Sequence, residues 1–156
     1  MNDTSARVWV FFYDTFMNAD VLARHGVRAR EVIPARLQGF ELTIRPRANL
    51  TPSDRSCAYG AVAAVTHAEL DGIYAELKEQ FGLVYNPQAV LAETLDGGLR
   101  PTLVYIADSM TDAPPDPAYV TELVACVRGH GLPEWYARHV ESFAPPHGSA
   151  YWACAR

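Results

Sequence analysis

The sequence predicts one α+β domain, in which a small mixed β-sheet closes toward a barrel and carries helices on its outside. Three observations support this fold class. The chain has 156 residues, which fits a single hydrophobic core spanning residues 1–156. Hydrophobic residues make up 49% of the chain, enough to build such a core. The strand and helix patterns do not alternate as in βαβ folds, and no repeat or linker divides them.

The first strand is predicted at Val8–Tyr13, where β-branched and aromatic residues form a continuous apolar run. Such a run is typical of a strand that is buried on both faces. Asp14 and Thr15 end the strand. Asn18 then offers N-cap chemistry for a helix of about two turns, which Gly26 closes.

The second strand is predicted at Arg36–Ile44, with Gly39 as a bulge. Residues 45–54 are expected to form a loop, because two prolines and a polar run interrupt strand pairing. A third strand follows at Tyr59–Val65. Thr66 and Glu69 have the spacing of a capping box, which predicts the start of an amphipathic helix.

Two more strands are predicted at Gln88–Thr94 and Thr102–Ala107. The Asp96-Gly97 step between them favours a hairpin. A stiff, proline-rich connector at 112–117 then leads to the C-terminal helices.

The first C-terminal helix is expected at Ala118–Arg128. The second begins at Leu132-Pro133 and extends to Ser142, with Pro133 near its first turn. The tail from Ala144 is predicted to be a loop or a short strand.

Charge and cysteine content narrow the possible functions. The formal net charge of −5, without a run of basic residues, argues against nucleic acid or an anionic membrane as a partner. Cys57, Cys126 and Cys154 do not have the spacing of a disulfide framework or a zinc site, so we expect a reducing compartment and no metal. No signal peptide or membrane-spanning run is visible, so we expect a cytoplasmic protein.

The turn after the first strand is one candidate binding site. It comprises Tyr13, Asp14, Thr15, Phe16, Met17 and Asn18. A strand that ends in a turn and opens a helix presents free backbone N–H groups, which suit a carboxylate or a phosphate. An ordinary β-to-α turn capped by Asp14 explains the same residues equally well.

Glu76 is a candidate general base. A carboxylate near the C-terminal end of a helix opposes the helix dipole, and in an apolar cleft it would have a raised pKa. On local sequence alone, a solvated surface glutamate is the favoured interpretation.

Several segments, taken in their order along the chain, carry a resemblance to a known family. They are Phe12–Met17, Ala35–Phe40, Tyr59–Val62, Thr66–Asp71, Ile73–Glu76, Val104–Ile106 and Gly131–Tyr136. Together they resemble the gamma-glutamylcyclotransferase-like family, which includes the AIG2-like proteins. The resemblance extends from about Val8 to Phe143.

This resemblance implies a small mixed β-barrel and a cofactor-independent reaction on a small γ-glutamyl substrate. In that reaction the α-amine attacks the γ-carbonyl, which releases 5-oxoproline and the free amine. The resemblance implies Glu76 as general acid and base, with Glu79 as the alternative. It also implies a set of substrate-binding residues: Tyr13, Asp14, Thr15, Phe16, Met17 and Tyr105.

Asp14 departs from the family pattern, which usually has glycine at this position. Its negative charge would repel a substrate carboxylate, although it could instead pair with a substrate amine. The alternative hypothesis is therefore a non-catalytic small-molecule-binding protein on the same fold. Arg45 and Arg47 lie in a predicted loop that could reach the site, although a solvated position is expected for each.

Overall fold

In the computed structural model, which describes residues 5–144, five strands close into a barrel flanked by four α-helices. The strands are β1 (Arg7–Phe12), β2 (Arg30–Ile44), β3 (Ala48–Thr66), β4 (Tyr85–Thr94) and β5 (Leu99–Ala107). The helices are α1 (Ala19–Arg24), α2 (His67–Phe81), α3 (Pro117–Gly129) and α4 (Glu134–Glu141). The predicted fold class is confirmed.

The strand order around the barrel is β1-β3-β2-β4-β5. Neighbouring strands pair antiparallel, except at the closure, where β1 runs parallel to β5. Val10 pairs with Leu103 and Phe11 with Val104 at this closure. The central position of β1 explains its continuous apolar sequence, since Val10, Phe11 and Phe12 are all buried.

The loop expected at 45–54 is wrong. Residues 45–47 alone form the turn between β2 and β3, and β3 begins at Ala48. Pro52 is compatible with β3 because the segment around it pairs on one side only, with β2. The other neighbour of β3, β1, pairs with residues 61–66 at the far end of the strand. The β2–β3 register is irregular at Gly39, where a bulge is predicted, but the extra residues lie in β3. Gly39 alone separates Gln38 from Phe40, whereas residues 53–56 separate their partners Cys57 and Pro52.

Gly60 allows β3 to pass close to the end of β1. A Cβ atom at this position would lie 2.0 Å from the carbonyl oxygen of Phe12. The absence of a side chain at Gly60 therefore lets β3 approach the end of β1, immediately before the turn that follows Phe12.

The helix starts follow the predicted caps. Asn18 caps α1 by accepting a hydrogen bond from the amide of Asp20. Thr66 and Glu69 form the complete capping box of α2, which ends at Gly82 in the left-handed conformation. Because β3 leads directly into α2, the capping box lies at the junction between the barrel and this helix.

The C-terminal half also follows the sequence patterns. The β4–β5 hairpin turns through Asp96 and Gly97, as predicted. Helix α3 begins at Pro117, and Pro133 is the N-cap of α4 rather than a residue inside it. The tail beyond Ala144, including Cys154, lies outside the described residues.

The core consists of the apolar faces of the barrel strands and of all four helices, together with apolar residues of the turn after β1. On α2 the buried residues are Leu70, Ile73 and Leu77, whose spacing places them on one face of the helix. Between residues 5 and 144, no helix has the length and apolar character needed to cross a membrane.

Candidate active site

The turn after β1 is a short 3₁₀ segment, Thr15–Met17, capped by Asp14. The Asp14 carboxylate accepts a hydrogen bond from the amide of Phe16 at 3.0 Å, and the Asp14 carbonyl accepts one from the amide of Met17 at 3.0 Å. The φ angle of Asp14 is −109°, which is ordinary extended backbone. The turn therefore does not need glycine for its backbone conformation, and two of its amides are already used internally.

Burial dominates the electrostatics of Asp14. Loss of hydration raises its pKa to about 6, while the Phe16 amide and the charge of Arg47 act in the opposite direction. The Asp14 charge in turn adds to the effect of burial in raising the pKa of Tyr74, Tyr85 and Tyr119. Asp14 is thus an acid of near-neutral pKa in a largely tyrosine-lined environment.

Tyrosine contacts hold the turn against the barrel. The Tyr13 hydroxyl donates a hydrogen bond of 2.6 Å to the backbone carbonyl of Tyr105. The Tyr105 ring stacks on Tyr74 of α2, with 4.0 Å between ring centres and 9° between planes. Tyr85 donates to the Ala48 carbonyl at 2.9 Å. These contacts tie the end of β1 to β5 and α2, and tie β4 to the start of β3.

A cavity of about 450 Å³ opens beside the turn. Thr15 and Phe16 form one wall, and α2 forms another with Ile73, Glu76 and Leu77. The remaining lining residues come from α1 and its end, the β2–β3 turn, the end of α2 and the start of α3: Val21, Arg24, His25, Arg47, Gln80, Phe81, Asp116, Ala118, Tyr119 and Glu122. The fold therefore brings Glu76 and the turn to the same cavity.

Glu76 lines this cavity and is partly exposed to solvent. Its side chain is 37% exposed, so it is not enclosed in an apolar cleft. One carboxylate oxygen lies 3.1 Å from Nδ1 of His25, and the other accepts a hydrogen bond of 3.1 Å from the Gln80 amide. These two partners fix the orientation of the carboxylate. Glu79, the alternative base, is exposed and is not among the residues that line the cavity.

The other predicted site residues are divided between the cavity and the core. Thr15 and Phe16 contribute to the cavity wall, whereas Tyr13 and Met17 are buried in the core. Tyr105 stacks on Tyr74 and does not line the cavity. Their roles in substrate binding stay predictions.

Two further cavity residues, His25 and Arg47, have no strong signal in the sequence. His25 lies 51 residues before Glu76, and no local pattern connects the two. Arg47 is expected in a solvated loop, but the tight β2–β3 turn places it in the cavity wall. The position of Arg47 depends on where β3 begins. The sequence does not reveal this start, because the prolines predict a loop there.

A second cavity, of about 640 Å³, adjoins the first and shares Arg47, Phe81 and Asp116 with it. Apolar side chains contribute much of its lining, namely Pro46, Phe81, Leu83, Met110 and Ala113. Across residues 5–144, no cluster of three histidine, cysteine or acidic side chains is arranged to hold a metal ion.

Comparison with solved structures identifies the architecture. A gamma-glutamyl cyclotransferase superposes with a TM-score of 0.73 at 19% identity, covering 89% of each chain. A yeast gamma-glutamyl cyclotransferase specific to glutathione gives 0.59 at 12% identity, covering 89% of this chain and 96% of its own. A mouse AIG2-like protein gives 0.54 at 17% identity, covering 74% and 83%. The chain has the gamma-glutamyl cyclotransferase fold.

This result confirms, at the level of fold, the resemblance seen in the sequence. No protein-family model and no curated protein sequence matches the chain. The gamma-glutamyl cyclotransferase fold here carries a turn with Asp14 at its start and a carboxylate, Glu76, across the cavity from Thr15 and Phe16.

Proposed function

We propose that the protein is a cyclotransferase that releases 5-oxoproline from a γ-glutamyl amine or peptide. The observation that supports this most directly is the cavity, in which Glu76 shares the lining with Thr15 and Phe16 of the turn. A γ-glutamyl group would lie between them. Its amine and carbonyl are already tethered, so the site needs to fold the substrate and move protons rather than supply a nucleophile.

The reaction balances with one carboxylate. Glu76 takes a proton from the substrate α-ammonium, and the freed nitrogen attacks the γ-carbonyl carbon to close a five-membered ring. Glu76 returns the proton to the leaving nitrogen as the bond from that carbon to it breaks. The ring nitrogen then gives its second surplus proton to Glu76, which passes it to the departing amine, so that the products are neutral lactam and an ammonium ion. His25 and Gln80 support this role because they bind the two carboxylate oxygens of Glu76 and so orient it.

The second cavity is a suitable place for the leaving group of the substrate. It begins at the shared residues Arg47 and Phe81 and is bordered by apolar side chains such as Leu83 and Met110. An amine that departs from the γ-carbonyl in the first cavity would extend in this direction. Its lining favours an apolar amine over a charged one.

Release of 5-oxoproline from a panel of γ-glutamyl amines and dipeptides tests the proposal. Glu76→Gln keeps the size of the side chain and removes the base, so we expect the rate to fall by about 10²- to 10⁴-fold. Glu79→Gln is the matched control on the same helix and is expected to keep full activity, since Glu79 lies outside the cavity. Full activity in Glu76→Gln would exclude its role as base, and loss in Glu79→Gln instead would assign the role to Glu79.

The alternative is a non-catalytic binding protein on the same fold. The internal use of the Phe16 and Met17 amides favours it, because these groups are no longer available to a substrate carboxylate. This alternative predicts no 5-oxoproline from any substrate in the panel. Under this alternative, the one variant in which 5-oxoproline release can appear is Asp14→Gly, because this substitution frees the Phe16 amide.

A further inference from the structure

Arg47 is held against two aromatic rings at the boundary of the two cavities. Its guanidinium carbon lies 4.1 Å from the ring centre of Tyr119 and 4.5 Å from that of Phe81. Such contacts occupy the faces of the guanidinium group and leave its N–H edges available. Within the described residues, no hydrogen bond or ion pair involves the Arg47 guanidinium. It is therefore an oriented cation with its donors unused.

The other cations of the first cavity already have acidic partners. Arg24 lies 3.4 Å from a carboxylate oxygen of Glu122, and His25 lies 3.1 Å from Glu76. Arg45, two residues before Arg47, pairs with Asp112 on the surface. Among these side chains, Arg47 is the one placed to accept an anion from outside the protein.

Two backbone amides of the turn after β1 are not available to bind a substrate carboxylate. The Phe16 amide donates to the Asp14 carboxylate and the Met17 amide to the Asp14 carbonyl. A carboxylate brought close to this turn would also meet the charge of Asp14 when that group is ionised. An anion in the cavity is thus better accommodated at Arg47, whose charge acts on Asp14 without forming an ion pair with it.

We propose that Arg47 binds the carboxylate of the ligand, in a clamp formed by Phe81 and Tyr119. The identity of the ligand rests on the proposed function: the carboxylate is the α-carboxylate of the γ-glutamyl group, retained in 5-oxoproline. A guanidinium edge matches a carboxylate with two parallel hydrogen bonds, which fixes its orientation as well as its position. Anchored there, the γ-glutamyl group lies in the first cavity and the leaving amine in the second.

Binding of 5-oxoproline, followed by NMR titration, tests this assignment without any turnover. The matched ligand is the carboxamide of 5-oxoproline, which has the same ring without the charge. We expect the acid to bind and the amide to bind at least about tenfold more weakly, since a hydrogen-bonded charge contributes on that order. Arg47→Met keeps an apolar stem against the two rings and should lose the same factor for the acid. Arg47→Lys should fall between wild type and Arg47→Met, because it keeps the charge without the two-pronged edge.

Arg45→Met is the control, because Arg45 is two residues away and pairs with Asp112. Unchanged affinity for the acid in this variant, with loss in Arg47→Met, supports the assignment. Equal affinity for acid and amide, undiminished binding in a folded Arg47→Met, or no binding of the acid by wild type overturns it. A protein that binds 5-oxoproline through Arg47 but releases none from any γ-glutamyl amine keeps this assignment and loses the proposed function.

Discussion

The Asp14 carboxylate accepts the backbone amide of Phe16 at 3.0 Å, so the residue that departs from the family pattern also caps the turn it occupies. The same carboxylate has a pKa raised by burial to about 6. Asp14 thus combines a stabilising hydrogen bond with the cost of a poorly hydrated charge. The balance between the two depends on pH.

The Asp14→Asn variant is predicted to have a higher free energy of unfolding than wild type, by a margin that grows as the pH rises. The folded-state pKa of about 6 lies above the value of about 4 expected in the unfolded chain. Between these values the folded protein binds the proton more tightly, so the Asp14 contribution to stability falls from pH 4 to pH 6 and stays low above it. Asparagine can accept the same hydrogen bond without a charge. We expect its advantage to reach about 1–2 kcal/mol above pH 6 and to shrink below pH 4.

Urea unfolding followed by circular dichroism across this pH range measures the effect. Asp54→Asn is the control, since Asp54 is exposed on β3. A stability difference between Asp14→Asn and wild type that does not change with pH would contradict the assigned pKa.

Gly60→Ala is predicted to destabilise the barrel by at least about 2 kcal/mol. The added Cβ would lie 2.0 Å from the Phe12 carbonyl, so β3 or the end of β1 must move. Gly72→Ala is the matched control: a Cβ added there would meet no atom within 4 Å, and the residue sits within α2. There the substitution should stabilise the helix by about 0.5–1 kcal/mol. Thermal unfolding of both variants measures the contrast, and equal effects would show that Gly60 is not required for the close approach.

Local rules predict much of this fold. The capping box of Thr66 and Glu69, the Asn18 cap and the hairpin at Asp96-Gly97 each depend on residues a few positions apart, so their spacing in the sequence is sufficient. The start of β3 at Ala48 is not predicted, because it depends on pairing with another strand and not on neighbouring residues. Pro52 argues against a strand locally, and only its one-sided pairing with β2 makes it acceptable.

The candidate site is less completely predictable, because it depends on long-range contacts. Glu76 is predicted through the resemblance, but its pairing with His25 joins residues 51 positions apart. Arg47 enters the cavity wall only because β3 begins at Ala48. Neither arrangement has a pattern within its own segment, so the geometry of the barrel has to be known first.

Thr66→Ala is predicted to cost about 1 kcal/mol. It removes the side-chain acceptor for the Glu69 amide, a hydrogen bond of 3.1 Å, and breaks the capping box of the helix that carries Glu76. Thr66→Ser keeps the hydroxyl and should retain most of the stability. Urea unfolding compares the two variants. A loss of the same size in both would assign the effect to the Thr66 methyl group rather than to the cap.

The second cavity predicts a preference for apolar leaving amines. Each methylene buried against the apolar residues of this cavity contributes about 0.8 kcal/mol, so kcat/KM should rise about fourfold per methylene along a series of γ-glutamyl alkylamides. Met110→Ser should flatten this dependence, because Met110 is part of the lining. Leu91→Ser is the control, since Leu91 is 54% exposed and lies outside both cavities. A flat series in wild type, or a higher kcat/KM for γ-glutamyl groups on charged amines, would show that the leaving group does not occupy this cavity.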